Sequence, residues 1–205
     1  MIGIINYGLG NVRAFINAYE YMSIPVKLIT KVEDFNNISH IILPGVGSFD
    51  LAMQQLEASG LRSRLEELVL KNSMPILGVC VGMQIMGLRS DEGSRDGLGW
   101  IAGNVLKITN NSKFKHFCLP HMGWNQVSYD AENRLFKNLS INPEFYFLHS
   151  FYFQPENSER IIATTIYFET IPCAVYRQNI FGVQFHPEKS HDAGMALLKN
   201  FYLTI

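Results

Sequence analysis

The stretch Pro75-Ile76-Leu77-Gly78-Val79-Cys80-Val81-Gly82-Met83-Gln84 constrains this chain more than any other. Ile76 to Val79 is an apolar run that reads as a buried strand, and Val81 to Leu88 has the spacing of an amphipathic helix. A residue caught between a strand end and a helix start takes a strained backbone conformation. Gly78 and Gly82, two positions to either side of Cys80, leave the room that Cβ atoms would block. The pattern G-x-C-x-G is that of a nucleophile elbow with cysteine in place of serine. Cys80 then sits at the positive end of a helix, which favours the thiolate, the attacking species. The backbone N–H of Val81 points the same way and is placed to hold an oxyanion. The plain alternative is a buried structural cysteine at the end of a core strand.

An elbow of this kind needs a sheet around it, and the first ninety residues supply one. Ile2 to Asn6 is a short apolar strand, and Tyr7-Gly8-Leu9-Gly10-Asn11 is a turn. Asn11 is placed to cap a helix with Val12, Phe15, Ile16 and Tyr19 on one face. Gly8 and Gly10 make only a weak dinucleotide fingerprint, because Arg13 stands where the third glycine belongs. Strands follow at Pro25–Ile29 and His40–Leu43, with helical patterns at Asp50–Glu57 and Leu61–Lys71. This alternation predicts an α/β fold with a parallel sheet wrapped by helices. Ligands of such sheets bind outside the carboxyl ends of the strands, where Cys80 and the loop Pro44-Gly45-Val46-Gly47 become neighbours.

Ser90 to Gly99 is a polar, glycine-rich loop. Beyond it, short β-rich segments at Asn104–Ile108, Trp124–Val127, Phe145–His149, Ile161–Ile166, Cys173–Tyr176 and Ile180–Phe185 read as antiparallel strands that extend or flank the sheet. A last helix starts after Ser190, its expected N-cap. With no repeat, low-complexity tract or linker, residues 1–205 read as one domain.

Composition excludes several classes. Seventeen basic against eighteen acidic residues give no electrostatic reason to bind nucleic acid or an anionic membrane. No apolar run approaches the roughly 18 residues that span a bilayer, and the apolar start lacks the basic stretch of a secretory signal. Cys80, Cys118 and Cys173 form no CxxC pair, which argues against a disulfide scaffold or structural zinc and for a reducing cytoplasm. No metal or cofactor is expected.

A thiolate nucleophile needs a base, and the base needs an orienting group. Of six histidines, His186 stands just after the apolar run Phe181–Phe185 and is followed by Pro187 and Glu188. In extended chain, residues i and i+2 share a side, so the Glu188 carboxylate can fix the tautomer of His186. Pro44–Gly47 is either a plain tight turn or a flexible peptide at Val46 and Gly47 that offers a second oxyanion donor. His121 and His149 sit among aromatics and read as hydrogen-bonded structural histidines; His40, His116 and His191 lack any constellation.

The elbow Gly78–Gly82 with Gln84, together with His186-Pro187-Glu188, resembles class I glutamine amidotransferases. Asn6–Asn11, Pro44–Gly47, Gly97–Trp100, Pro120–Asn125 and Phe185–Ser190 are similar to one branch of that class along the whole chain. The resemblance implies a flavodoxin-like three-layer fold with a mixed, largely parallel sheet. It implies that Cys80, His186 and Glu188 hydrolyse glutamine through a thioester, with the oxyanion held by Val81 and the Val46–Gly47 peptide. Gln84 and Glu92 match positions that hold the α-carboxylate and α-amino ends of glutamine, and the backbone of His149, Ser150 and Phe151 lines the pocket. The family usually has Tyr where Phe151 stands, a change in a mostly main-chain contact.

It also implies that ammonia passes to a (β/α)8-barrel synthase subunit in a 1:1 heterodimer, with Asn11, Trp124 and Lys189 at the interface. Trp124 as core and Lys189 as a solvated charge are the alternatives for two of these. The branch implied is the one serving histidine biosynthesis. Trp100 and Lys189-Ser190-His191 are equally similar to subunits whose barrel partners amidinate surface-polysaccharide sugars. A non-catalytic module of the same fold is disfavoured by the intact Cys80, His186 and Glu188.

Overall fold

The computed structural model describes residues 1–109 and 118–204, so His116 lies outside the described residues. In chain order the elements are β1 (Ile2–Ile5), α1 (Val12–Tyr21), β2 (Val26–Ile29), β3 (His40–Gly45), α2 (Phe49–Ala58), α3 (Arg62–Glu66), β4 (Ile76–Cys80) and α4 (Val81–Gln84). Then come β5 (Arg89–Ser90), β6 (Gly103–Lys107), β7 (His121–Gln126), β8 (Ser128–Tyr129), β9 (Glu144–His149) and β10 (Phe151–Pro155). β11 (Ile161–Tyr167), β12 (Glu169–Arg177), β13 (Ile180–Val183) and α5 (His191–Tyr202) complete the chain.

Eight strands form one sheet in the order β2-β1-β3-β4-β13-β12-β11-β8. The five from β2 to β13 are parallel, and β12, β11 and β8 continue it antiparallel. β1, β3, β4 and β13 are buried at every residue, as expected of strands covered on both faces. The α/β architecture with a mixed, mostly parallel sheet is thus as expected. Two smaller sheets, β10-β6-β5 and β7-β9, flank it. Tyr19 of α1 reaches the carbonyl of Leu198 on α5 at 3.3 Å, tying the two helices together.

Several local details differ from expectation. β13 is not an antiparallel addition: it slots in beside β4 in parallel, with Val183 opposite Val79. That register carries the chain that follows Val183 to the same sheet edge as Cys80. The helix expected from Val81 to Leu88 stops at Gln84 and gives way to turns, and the segment before the elbow ends in a π-helical turn, Glu67–Lys71. β10 was not legible, because only Ser150 separates it from β9 and no turn signal marks the break. Neither Asn11 nor Ser190 caps its helix through the side chain.

Candidate active site

Cys80 has φ 55° and ψ −116°, a strained conformation for a residue with a Cβ. Three glycines make the turn sterically possible. A Cβ on Gly45 would lie 2.2 Å from the Gly82 nitrogen, one on Gly82 would lie 2.0 Å from the Leu43 carbonyl oxygen, and one on Gly78 would lie 2.7 Å from the Gly82 oxygen. β3, β4 and α4 therefore cross backbone against backbone. Gly45 is the register partner of Cys80, which sets Val46 and Gly47 beside the sulfur. A single helical turn carries only part of the dipole of a full helix, so the helix contributes less to the thiolate than the sequence suggested.

His186 arrives from a 3₁₀ turn, Pro187–Lys189, and not from extended chain, since β13 ends at Val183. The predicted pairing survives through a different geometry: His186 Nδ1 lies 2.9 Å from Glu188 Oε1, both side chains almost fully buried. With Nδ1 committed to the carboxylate, Nε2 is the nitrogen left to hydrogen-bond Cys80. Burial pushes the His186 pKa down, but hydrogen bonds to Cys80 and Glu188 and their negative charge outweigh it and carry it up to about 10. The turn is clamped to β9. His186 N–H donates to the Tyr146 carbonyl at 2.8 Å, Ser190 Oγ donates to the His186 carbonyl at 2.6 Å, and Tyr146 N–H donates back to Ser190 Oγ at 3.0 Å. This use explains why Ser190 does not cap α5.

A cavity of about 300 Å³ opens over the sulfur, large enough for an amino acid. Its lining brings together Val46, Gly47, Cys80, Val81, Gln84, Glu92, His149, Ser150, Phe151 and His186. Glu188 stands behind His186, out of the cavity. A roomier hollow of about 920 Å³ lies among Ser39, Met74, Pro75 and Asn179, at the amino ends of β3, β4 and β13. That is the wrong end of a parallel sheet for a ligand, and none of the site residues expected from the sequence lines it.

The substrate positions are more specific than the sequence showed. Gln84 is buried, and both hydrogens of its amide are used inside the protein, toward the Phe151 carbonyl at 3.1 Å and Gln184 Oε1 at 3.0 Å. Only its Oε1, an acceptor, remains for a ligand. Glu92 Oε2 accepts the N–H of Phe49 at the start of α2, 2.8 Å away. Both residues therefore offer an acceptor oxygen suited to a cationic group.

His121 and His149 are the hydrogen-bonded histidines expected, and their tautomers follow from the partners. His149 Nδ1 faces the Phe151 carbonyl at 2.8 Å and so carries a proton. Its Nε2 accepts from His121 Nδ1 at 3.0 Å, and His121 Nε2 accepts from the Asn125 amide at 3.2 Å. The chain works only with both rings neutral. Burial lowers His121 from 6.5 to about 4 and His149 to about 3. Unfolded, each takes a proton near 6.5, so the unfolded chain binds more protons between about 6.5 and about 4. Stability is full above pH 6.5 and is lost as pH falls through that window, by up to about 1.4 kcal/mol per pH unit for each ring. Thermal denaturation followed from pH 7 to 5 is expected to show a falling midpoint, with the slope reduced in His121→Phe.

Two residues at the site escaped sequence reasoning. Tyr7 is buried and donates to the Pro44 carbonyl at 2.8 Å, and burial, then the charge of Cys80, raises its pKa. Gln184 is fully buried with its Nε2 3.7 Å from Cys80 Sγ. The available signal was a polar residue inside an apolar run, which demands a buried partner.

Of the expected interface residues, Lys189 and Trp124 converge on the Tyr146 ring, Lys189 Nζ at 5.4 Å from its centroid and Trp124 edge-on at 6.0 Å. Trp124 is 45% exposed and stacks on His191 at 4.9 Å, so the core alternative does not hold for it. Asn11 is exposed and precedes α1, which packs against the Pro187–Lys189 turn.

Comparison with known proteins places this geometry in a family. A family model described as glutamine amidotransferase class-I matches residues 4–205. The chain is 49% identical to the "Imidazole glycerol phosphate synthase subunit HisH" of Bdellovibrio bacteriovorus over 201 residues, 98% of each chain. It is 47% identical to the protein of the same name from Leptospira borgpetersenii, again over 98% of each. Among solved structures, PurLQS from Thermotoga maritima aligns over 99% of this chain and 98% of its own, with TM-score 0.73 and 18% identity, a likeness of fold. A full-length match to the family model and near-half identity to its members leave one conclusion: the chain belongs to the class I glutamine amidotransferases.

Proposed function

We propose that this enzyme hydrolyses L-glutamine at Cys80 and delivers the ammonia to a (β/α)8-barrel synthase subunit that forms imidazole glycerol phosphate in histidine biosynthesis, in the cytoplasm. The observation that carries the chemistry is the strained Cys80 set against a buried His186–Glu188 pair over a cavity of amino-acid size. The names of the relatives support the pathway.

In this reading Sγ attacks the side-chain carbonyl carbon of glutamine. The C–S bond forms, the C–N bond breaks, and ammonia leaves with a proton from the His186 imidazolium. Water then attacks the thioester, giving its proton to His186, and the C–S bond breaks to release glutamate. The N–H of Val81 and a donor from the Val46–Gly47 peptide hold the oxyanion. Gln84 Oε1 and Glu92 receive the α-ammonium, leaving the α-carboxylate to main-chain donors near Ser150 and Phe151. Asn11, Trp124 and Lys189 meet the barrel in a 1:1 heterodimer.

The test of pathway is growth without histidine in a strain lacking its own glutaminase subunit, supplied with this chain and its cognate barrel. Restored growth is the expected result, and failure despite sound expression points to the sugar-amidinating branch. Glu188→Gln tests the orienting pair. Glutaminase kcat is expected to fall on the order of 10²-fold. A His186 pKa raised to about 10 stabilises the fold below pH 6.5, and that contribution is lost as pH rises through about 10. The difference in thermal midpoint between parent and variant is therefore expected to be largest below pH 6.5 and to fade toward pH 10.

A further inference from the structure

We infer that Gln184 is a further catalytic residue, whose side-chain N–H donates to the Cys80 sulfur and stabilises that atom as an anion. The inference rests on the reading of Cys80 as the nucleophile. Gln184 is fully buried, with Nε2 3.7 Å from Sγ, a hydrogen-bond distance for sulfur. Its orientation is dictated from the other side. Gln84 turns its amide hydrogens to Gln184 Oε1 and to the Phe151 carbonyl, so the Gln184 oxygen faces Gln84 and its nitrogen faces the sulfur. A reversed amide would oppose N–H to N–H and carbonyl to sulfur. Two amides thus run from the nucleophile to the residue that meets the substrate's cationic end.

The charge on sulfur exists twice in the cycle, before attack and again when the thioester is cleaved. A buried donor steadies it at both points, where water is excluded and a hydrogen bond to an ion is worth more than one to a neutral group. His186 holds the other side, so the sulfur is gripped between an imidazole and an amide.

The experiment follows iodoacetamide alkylation of Cys80 by peptide mass spectrometry between pH 6 and 9, with exposed Cys118 as internal control. Gln184→Met removes both the donor and the acceptor. Gln184→Asn keeps a neutral amide but, one methylene shorter, withdraws its N–H from the sulfur without adding charge. In both variants the pH midpoint of Cys80 alkylation is expected to rise by about one unit, a tenfold change in the thiol–thiolate balance. Cys118 is expected to keep its parental rate, and glutaminase kcat/KM with the barrel partner to fall on the order of tenfold. A purely packing role would leave the midpoint of both uncharged variants at the parental value, and that result overturns the inference. Should Gln184→Met fail to fold, Gln184→Asn decides alone. If the parent neither hydrolyses glutamine nor alkylates Cys80 faster than Cys118, the nucleophile reading itself fails. An active parent with unmoved variants removes Gln184 only.

Discussion

Cys80→Ala is expected to abolish glutamine hydrolysis, with a loss of at least about 10³-fold in kcat, while the protein stays folded. The size follows from chemistry, since without the sulfur no thioester forms and only the oxyanion donors and binding remain. The fold survives because the strain at position 80 belongs to the backbone. Alanine at φ 55° and ψ −116° bears the same penalty as cysteine. The cost of removing Sγ is the pair of donors left facing a void, Gln184 Nε2 and the His186 ring, about 1–2 kcal/mol. Steady-state ammonia release and thermal denaturation together check this. Parental turnover in the variant would remove Cys80 from the mechanism, and collapse of the fold would show that the sulfur holds the elbow.

The largest expected loss of stability comes from Gly82→Ala. The added Cβ would lie 2.0 Å from the Leu43 carbonyl oxygen and 2.9 Å from its carbon. Those are backbone atoms of a fully buried central strand, so no side chain can rotate away. Either β3 separates from the elbow or the hydrogen bonds flanking it break, and a loss above about 4 kcal/mol is expected, a large part of the stability of an ordinary domain. Gly60→Ala is the control. There φ is +72° but nothing lies within 4 Å, so the cost is the left-handed conformation alone, about 1 kcal/mol. Urea denaturation of the two variants measures both, and a Gly82→Ala midpoint close to that of Gly60→Ala would refute the crossing as described.

The elbow could be read from sequence because it is local: two glycines, a cysteine and a change of period lie within ten residues. His186-Pro187-Glu188 was legible as a motif but not as a shape. The 3₁₀ turn that pairs its side chains is imposed by Ser190 and Tyr146, contacts that no spacing encodes. The α/β alternation predicted the parallel half of the sheet. It could not predict that β13, arriving a hundred residues after β4, would insert beside it in parallel. Gln84 stood out beside the elbow, yet its partner Gln184 lay hidden in what looked like a plain apolar strand. Glu92 was named only through resemblance, and its hydrogen bond to the start of α2 depends on how the loop folds back.

The sulfur stands on β4, a strand hydrogen-bonded on both sides within an eight-stranded sheet, whereas the cavity wall at His149 belongs to the two-stranded β7-β9 ribbon. That ribbon is no loose flap, because Phe145 and Phe147 are fully buried in the main core and Tyr146 holds the His186 turn. Pocket wall and anchor of the base are thus one piece of backbone, so a change that displaces β9 reaches the cavity and the imidazole together.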